Sequence, residues 1–134
     1  MDKGKKDLKG SPSRDLFKQL HKKNMPGGFY ACDIDLTLVD KEPAGIRALL
    51  DYKNFQDIVT FSEVIAYNQL MEYMPIYIIK SSREKIESGP FYIFQYVGGD
   101  WKPEPPKVTL NQILKCKDWK ELTDWEREIR GYYA

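Results

Sequence analysis

At 134 residues, with 42% apolar and 31% charged side chains, the chain has the composition of one ordinary globular domain. It can bury a core but has no room for a catalytic domain plus a sizeable cap. No apolar run approaches membrane-spanning length, and the lysines near the amino terminus lead into no apolar stretch, so neither a membrane span nor a secretory leader is expected.

The net charge of +1 hides an uneven distribution: residues 1–23 carry eight Lys/Arg against three Asp, and the remainder thirteen against seventeen acids. Residues 1–12 therefore read as a basic, flexible arm, whose Lys5, Lys6 and Lys9, with Arg14 just beyond, would attract a phosphate backbone; the plain alternative is a solvated tail. Residues 13–134 read as a single domain. Within it, Leu16, Phe17 and Leu20 recur at helical spacing between Ser13 and Lys23, and Asn24-Met-Pro-Gly-Gly ends that first helix.

From Phe29 to Val39 the pattern changes to a period of two, with Tyr30, Cys32, Ile34, Leu36 and Leu38 on one face and Asp33 and Asp35 among the residues of the other. After the turn Asp40–Gly45, Ile46 to Lys53 predicts a second strand, on which Asp51 and Lys53 share a side. Thr60-x-x-Glu63 is a capping box opening a helix that Pro75 closes. Ile76–Ile79 and Phe91–Val97 predict two further strands. Beyond Gly98-Gly-Asp and the prolines at 103, 105 and 106, Leu110–Leu114 and Thr123–Arg130 are expected to be helical, the second capped by Thr123-x-x-Glu126, with the tail packing through Trp119 and Trp125.

Cys32 and Cys116 stand far apart, with no Cys-x-x-Cys and one histidine, which excludes a disulfide framework and a structural zinc site and suits a reducing cytoplasm. The carboxylates are the chemistry-bearing feature. Hydrolysing an anionic ester such as a phosphodiester in neutral water calls for a hard cation, and two acids suffice for magnesium, which keeps several waters. Asp35 and Asp51 meet that need, with Lys53 beside them to orient water or stabilise developing charge.

With Asp35 on one strand and Asp51-Tyr52-Lys53 on the next, the chain resembles the PD-(D/E)XK nuclease superfamily, over residues 13–97. Ile34-Asp35-Leu36 is similar to the hydrophobic-Asp-hydrophobic signature of its RecB-like members, and Gln69-Leu-Met-Glu-Tyr73 to their Gln-x-x-x-Tyr helix. The resemblance implies an α/β restriction endonuclease-like fold, a central mixed sheet flanked by helices, followed here by a helical extension. It implies Mg²⁺ or Mn²⁺ bound by Asp35, Asp51 and the Tyr52 carbonyl, and Lys53 as the catalytic cation. Gln69 and Tyr73 would contact substrate, and Asp33 and His21 would be accessory. DNA is the expected substrate ahead of RNA, and a homodimer is the assembly through which small members address duplex DNA. The chain departs from the pattern in lacking the proline before Asp35, in carrying Asp rather than Glu at 51, and in leaving one core strand without a separate signal.

Blander readings exist for each residue. Asp33 and Asp35 would serve as aggregation-blocking charge on an edge strand, Asp51 and Lys53 as a surface ion pair, and the aromatics of Phe91–Tyr96 as core. A rival enzyme class is the haloacid-dehalogenase-type phosphatase, whose Asp-x-Asp-x-Thr motif Asp33-Ile-Asp35-Leu-Thr37 matches, with Ser81 and Asp100 near its later motifs. That fold requires a doubly wound parallel sheet, for which residues 82–91 leave too little chain. A non-catalytic nucleic-acid-binding module of the nuclease fold is the third alternative.

Overall fold

The computed structural model describes residues 12–24 and 32–129, and the chain divides into two compact units, 1–31 and 32–134. In the first, α1 (Pro12–Asn24) opens on a proline, whose missing N–H and fixed φ suit a helix start. It ends where the Asn24 side-chain amide donates to the Leu20 carbonyl at 2.7 Å, and Phe17 and His21, one turn apart, stack with ring centroids 5.9 Å apart.

The second unit runs β1 (Leu36–Lys41), β2 (Ala44–Asn54), α2 (Phe61–Leu70), β3 (Ile76–Ser81), a short 3-10 turn (Arg83–Lys85), β4 (Phe91–Asp100), β5 (Lys107–Cys116) and α3 (Trp119–Ile129). Its strands form a five-stranded mixed sheet in the order β1-β2-β3-β4-β5, so this unit is α/β. Only β2 and β3 pair in parallel; the other three pairs are antiparallel. Parallel neighbours need a crossover, and α2 supplies it. The interior position of β2 explains its unbroken apolar run: Ala48, Leu49 and Leu50 are all buried because the strand is covered on both faces.

Two apolar clusters lie on opposite faces. On one, Leu49, Ile76, Ile78 and Tyr96 pack against Val64 and Tyr67 of α2; on the other, Leu50, Ile79, Phe91, Ile93 and Cys116 pack against Leu122 and Trp125 of α3. The capping box at the start of α2 forms as its sequence requires, with the Glu63 N–H donating to Thr60 Oγ1 and the Thr60 N–H to Glu63 Oε1. Between β3 and β4, Gly89 adopts φ +90, and a Cβ there would lie 2.6 Å from the Lys117 carbonyl oxygen, so both the turn and its packing require glycine.

Several sequence expectations are corrected. Leu110–Leu114 is not helical but the middle of β5, which completes the sheet along β4. Helix α3 begins at Trp119, and Thr123 is interior to it, donating back to the Trp119 carbonyl at 3.0 Å. The side chain at its start that accepts an early N–H is Asp118, from Glu121 at 3.0 Å. The Asp40–Gly45 turn is tighter than expected, since β1 runs to Lys41 and β2 starts at Ala44. Residues 29–31 of the first expected strand lie outside the described residues, and regular pairing begins at Leu36. Ile34 accordingly packs with the α2 cluster while Leu36 and Leu38 pack with the α3 cluster, so they do not share one face. Trp125 is buried as expected; Trp119 is half-exposed, with its indole N–H donating to the Ile86 carbonyl at 2.9 Å.

Candidate active site

Pairing of Leu36 with Leu50 stops β1 one residue short of Asp35 and leaves that residue beside the Asp51–Tyr52 stretch of β2. There the Tyr52 N–H donates to Asp35 Oδ2 at 2.8 Å. A strand residue directs its N–H and C=O to the same neighbour, so the Tyr52 carbonyl also faces the Asp35 side. Asp51 and Lys53, two residues apart, project towards α2.

Helix α2 presents Glu63 and Tyr67 to them, four residues apart on one face. Lys53 Nζ donates to both carboxylate oxygens of Glu63, at 2.8 and 2.7 Å, and lies 3.7 Å from Asp51 Oδ2. The Tyr67 hydroxyl donates to Asp51 and is 3.3 Å from Glu63 Oε2. Five side chains thus converge from three places: the segment before β1, the end of β2 and the first two turns of α2.

Burial dominates the electrostatics. Asp51 is 4% exposed, and its carboxyl is pushed up to about 7, chiefly by burial and further by the adjacent Asp35 carboxyl, against the pull of Tyr67 and Lys53. Burial also pushes the Tyr67 hydroxyl up, reinforced by its bond to Asp51. For Lys53 burial works against the charge, yet the Glu63 hydrogen bonds outweigh it and the ammonium is held above its usual value. Glu63 is the mirror case: burial raises its pKa, the Lys53 and Thr60 hydrogen bonds more than reverse that, and it stays ionised. Lys53–Glu63 is therefore a fixed ion pair, and Asp51 the strained member of the group.

The donor chemistry fits a hard divalent cation. Two carboxyls are held together, one of them with its ionisation opposed by burial and by the other carboxyl, with a carbonyl oxygen alongside. Among the described residues no three His, Cys, Asp or Glu side chains form a ready ligand group; the oxygens that could hold such a cation are those of Asp35, Asp51 and the Tyr52 carbonyl.

Of the remaining expected residues, Asp33 is exposed in the segment before β1. Gln69 and Tyr73 do not share a helical face, because α2 ends at Leu70 and Tyr73 lies in the following turn, 79% exposed. His21 and Arg14 belong to α1, in the other compact unit, and Lys5, Lys6 and Lys9 lie outside the described residues. Glu63 was legible only as a helix cap, and Tyr67 carried no signal of its own; the clue for both was an acid and a tyrosine at i, i+4 spacing on the buried side of a helix directly after the lysine strand.

For the phosphatase alternative, the sheet has one parallel pair rather than a doubly wound set. Ser81 turns its hydroxyl to Tyr52 Oη at 2.6 Å, and Asp100 ends β4. The chain matches no protein-family model, no curated protein and no solved structure.

Proposed function

We propose that the chain is a metal-dependent nuclease of the restriction endonuclease-like fold, hydrolysing phosphodiester bonds, in DNA ahead of RNA. The observation that carries this reading is the Asp35–Asp51–Lys53 convergence at the junction of an antiparallel hairpin with a β-α-β crossover. One acid is supplied from the segment leading into β1 and one from β2, and the lysine lies two residues beyond the second.

Mg²⁺ or Mn²⁺ held by Asp35, Asp51 and the Tyr52 carbonyl would supply Lewis acidity and a more acidic bound water. The chain's own residues do the positioning. Tyr67 fixes the Asp51 carboxyl through its hydrogen bond, and Glu63 holds the Lys53 ammonium in one rotamer. That ammonium is placed to stabilise charge on the phosphoryl oxygens of a substrate seated over Asp35 and Asp51.

The test is incubation of single-stranded, duplex and branched DNA, and of RNA, with the full chain in Mg²⁺ or Mn²⁺, beside Asp51→Asn and Lys53→Gln. Cleavage that needs the cation and falls at least about 100-fold in both variants is expected. Undiminished cleavage in both would remove the site assignment, and phosphate-monoester hydrolysis abolished by Asp33→Asn would move the chain to the phosphatase class.

A further inference from the structure

Residues paired across a sheet project from the same face, so the strand register extends the candidate site sideways. Lys53 pairs with Lys80, Lys80 with Tyr92, and Tyr92 with Lys115, forming one row from the catalytic lysine to the far edge of the sheet. In the neighbouring row Asp51 pairs with Ile78, Ile78 with Phe94, and Phe94 with Gln112. Both rows lie on the α2 face. Helix α2 covers Ile78 in that face, but Lys80, Tyr92 and Phe94 remain half-exposed, and Lys115 and Gln112 are exposed.

Alternation along β4 separates its aromatic residues by role. Phe91 and Ile93 are core beneath α3, whereas Tyr92 and Phe94 sit on the opposite face. Phe55, 48% exposed just after β2, meets Tyr92 edge-on with centroids 5.4 Å apart. Lys80 Nζ stands 5.3 Å from the Phe94 ring and Lys115 Nζ 5.5 Å from the Tyr92 ring. Strands β3 and β5 contain no acid, and the one acid of β4, Asp100, lies at the end remote from Tyr92. Lysines interleaved with aromatic rings in an acid-free strip match a strand whose phosphates are anionic and whose bases are free to stack. A duplex offers phosphates but keeps its bases stacked inside.

We infer that the Lys80–Tyr92–Lys115 row, with Phe55 and Phe94, is a docking track for single-stranded nucleic acid leading to Lys53. The inference deepens the nuclease reading and rests on it for its direction, but binding is measured separately from cleavage. Strands lie about 4.8 Å apart, which puts the backbones of Lys80 and Lys115 about 10 Å apart, close enough for two long, flexible lysine side chains to reach phosphates of one strand. On docking, the ammonium groups move from the rings to the phosphates and a base takes the ring face.

The experiment is fluorescence anisotropy of a 12-nucleotide oligothymidylate, an oligouridylate and a blunt duplex, titrated with the full chain in EDTA over a range of salt. Tighter binding of the single strands than of the duplex is expected, and the two oligonucleotides show whether DNA or RNA is preferred. Replacing both lysines (Lys80→Ala with Lys115→Ala) is expected to lower the slope of log affinity against log salt by about 1.4. Tyr92→Leu is expected to weaken binding about tenfold with the slope unchanged, and Phe55→Ala reads the same stacking at an exposed position if the first variant folds poorly. Duplex preference, equal binding of polyglutamate, or wild-type affinity in the lysine and aromatic variants would overturn the track. Cleavage by a chain whose track variants bind normally would leave the nuclease reading standing; track-dependent binding without cleavage would leave the track standing and remove the nuclease.

Discussion

Burial opposes the charge of the Asp51 carboxylate, and its titration gives the site a measurable signature. Its folded pKa, about 7, lies above the ordinary carboxyl value, so between roughly pH 4 and 7 the folded state binds a proton that the unfolded state has released. That contribution to stability is fully present below the unfolded pKa and is lost as pH rises through about 7. Urea unfolding in EDTA is therefore expected to show stability falling from pH 5 to 8, and Asp51→Asn should flatten that fall; an unchanged slope in the variant would assign the effect elsewhere. Added Mg²⁺ should stabilise the wild type most at the upper end of the range, where Asp51 is ionised. The Lys53–Glu63 pair behaves differently, because each partner is largely buried and satisfied by the other. Lys53→Ala alone is expected to destabilise by about 3 kcal/mol, leaving Glu63 buried and uncompensated, while Lys53→Met with Glu63→Gln should recover most of that loss. A double-mutant cycle by chemical denaturation reads the coupling. Asp51 and Lys53 stood out in the sequence because acid-x-lysine spacing on a strand is local, whereas periodicity did not separate Asp35 from Asp33 and the likeness of Ile34-Asp35-Leu36 to the RecB-like signature did. Glu63 and Tyr67 were not legible, because their roles depend on how α2 is laid against β2, which no local pattern encodes.

The capping box at Thr60 and the amphipathic run behind it were readable, and α2 begins where they place it. Strand β5 was misread because Leu110, Ile113 and Leu114 match helical spacing over five residues, too short a window to distinguish the two periods. What decides the outcome is non-local: β4 offers a free edge, and Lys107 to Cys116 pairs along its whole length. A similar limit explains α3. Thr123-x-x-Glu126 has the form of a cap, but Asp118 stands one turn earlier and accepts the Glu121 N–H, and Leu122 must reach the core beneath it. Asp118→Ala is expected to cost about 1 kcal/mol and Thr123→Ala less than half of that, measured by urea denaturation. Equal losses would place the helix start at Thr123 after all.

Across the whole sheet, one parallel pair divides the labour. The β2-α2-β3 crossover buries one face beneath α2, which supplies Glu63 and Tyr67 and also covers Tyr96 of β4, while Tyr92 and Phe94 of β4 and Lys115 of β5 stay half-exposed or exposed, leaving the lysine and aromatic row beside the site. The α/β class and a mixed sheet were what the nuclease resemblance implied, and the second unit has both. The five-strand order was not legible, because β5 reads as helix over Leu110–Leu114 and which segments become neighbours depends on contacts far apart in sequence. The acids lie next to β1, an edge strand, which is where charge also blocks unwanted pairing, so exposed Asp33 suits that simpler role while Asp35 is drawn to the Tyr52 N–H. The claim on which all else depends is that Asp35, Asp51 and Lys53 act together on a phosphodiester. Single-turnover cleavage of a labelled single strand with Mg²⁺ or Mn²⁺ measures it most directly, in the wild type, Asp51→Asn and Lys53→Gln, each first shown to be folded by circular dichroism. Cation-dependent cleavage in the wild type and its loss in both folded variants is the predicted result; absence of cleavage by folded wild-type chain on every substrate, or equal rates in all three proteins, would contradict it.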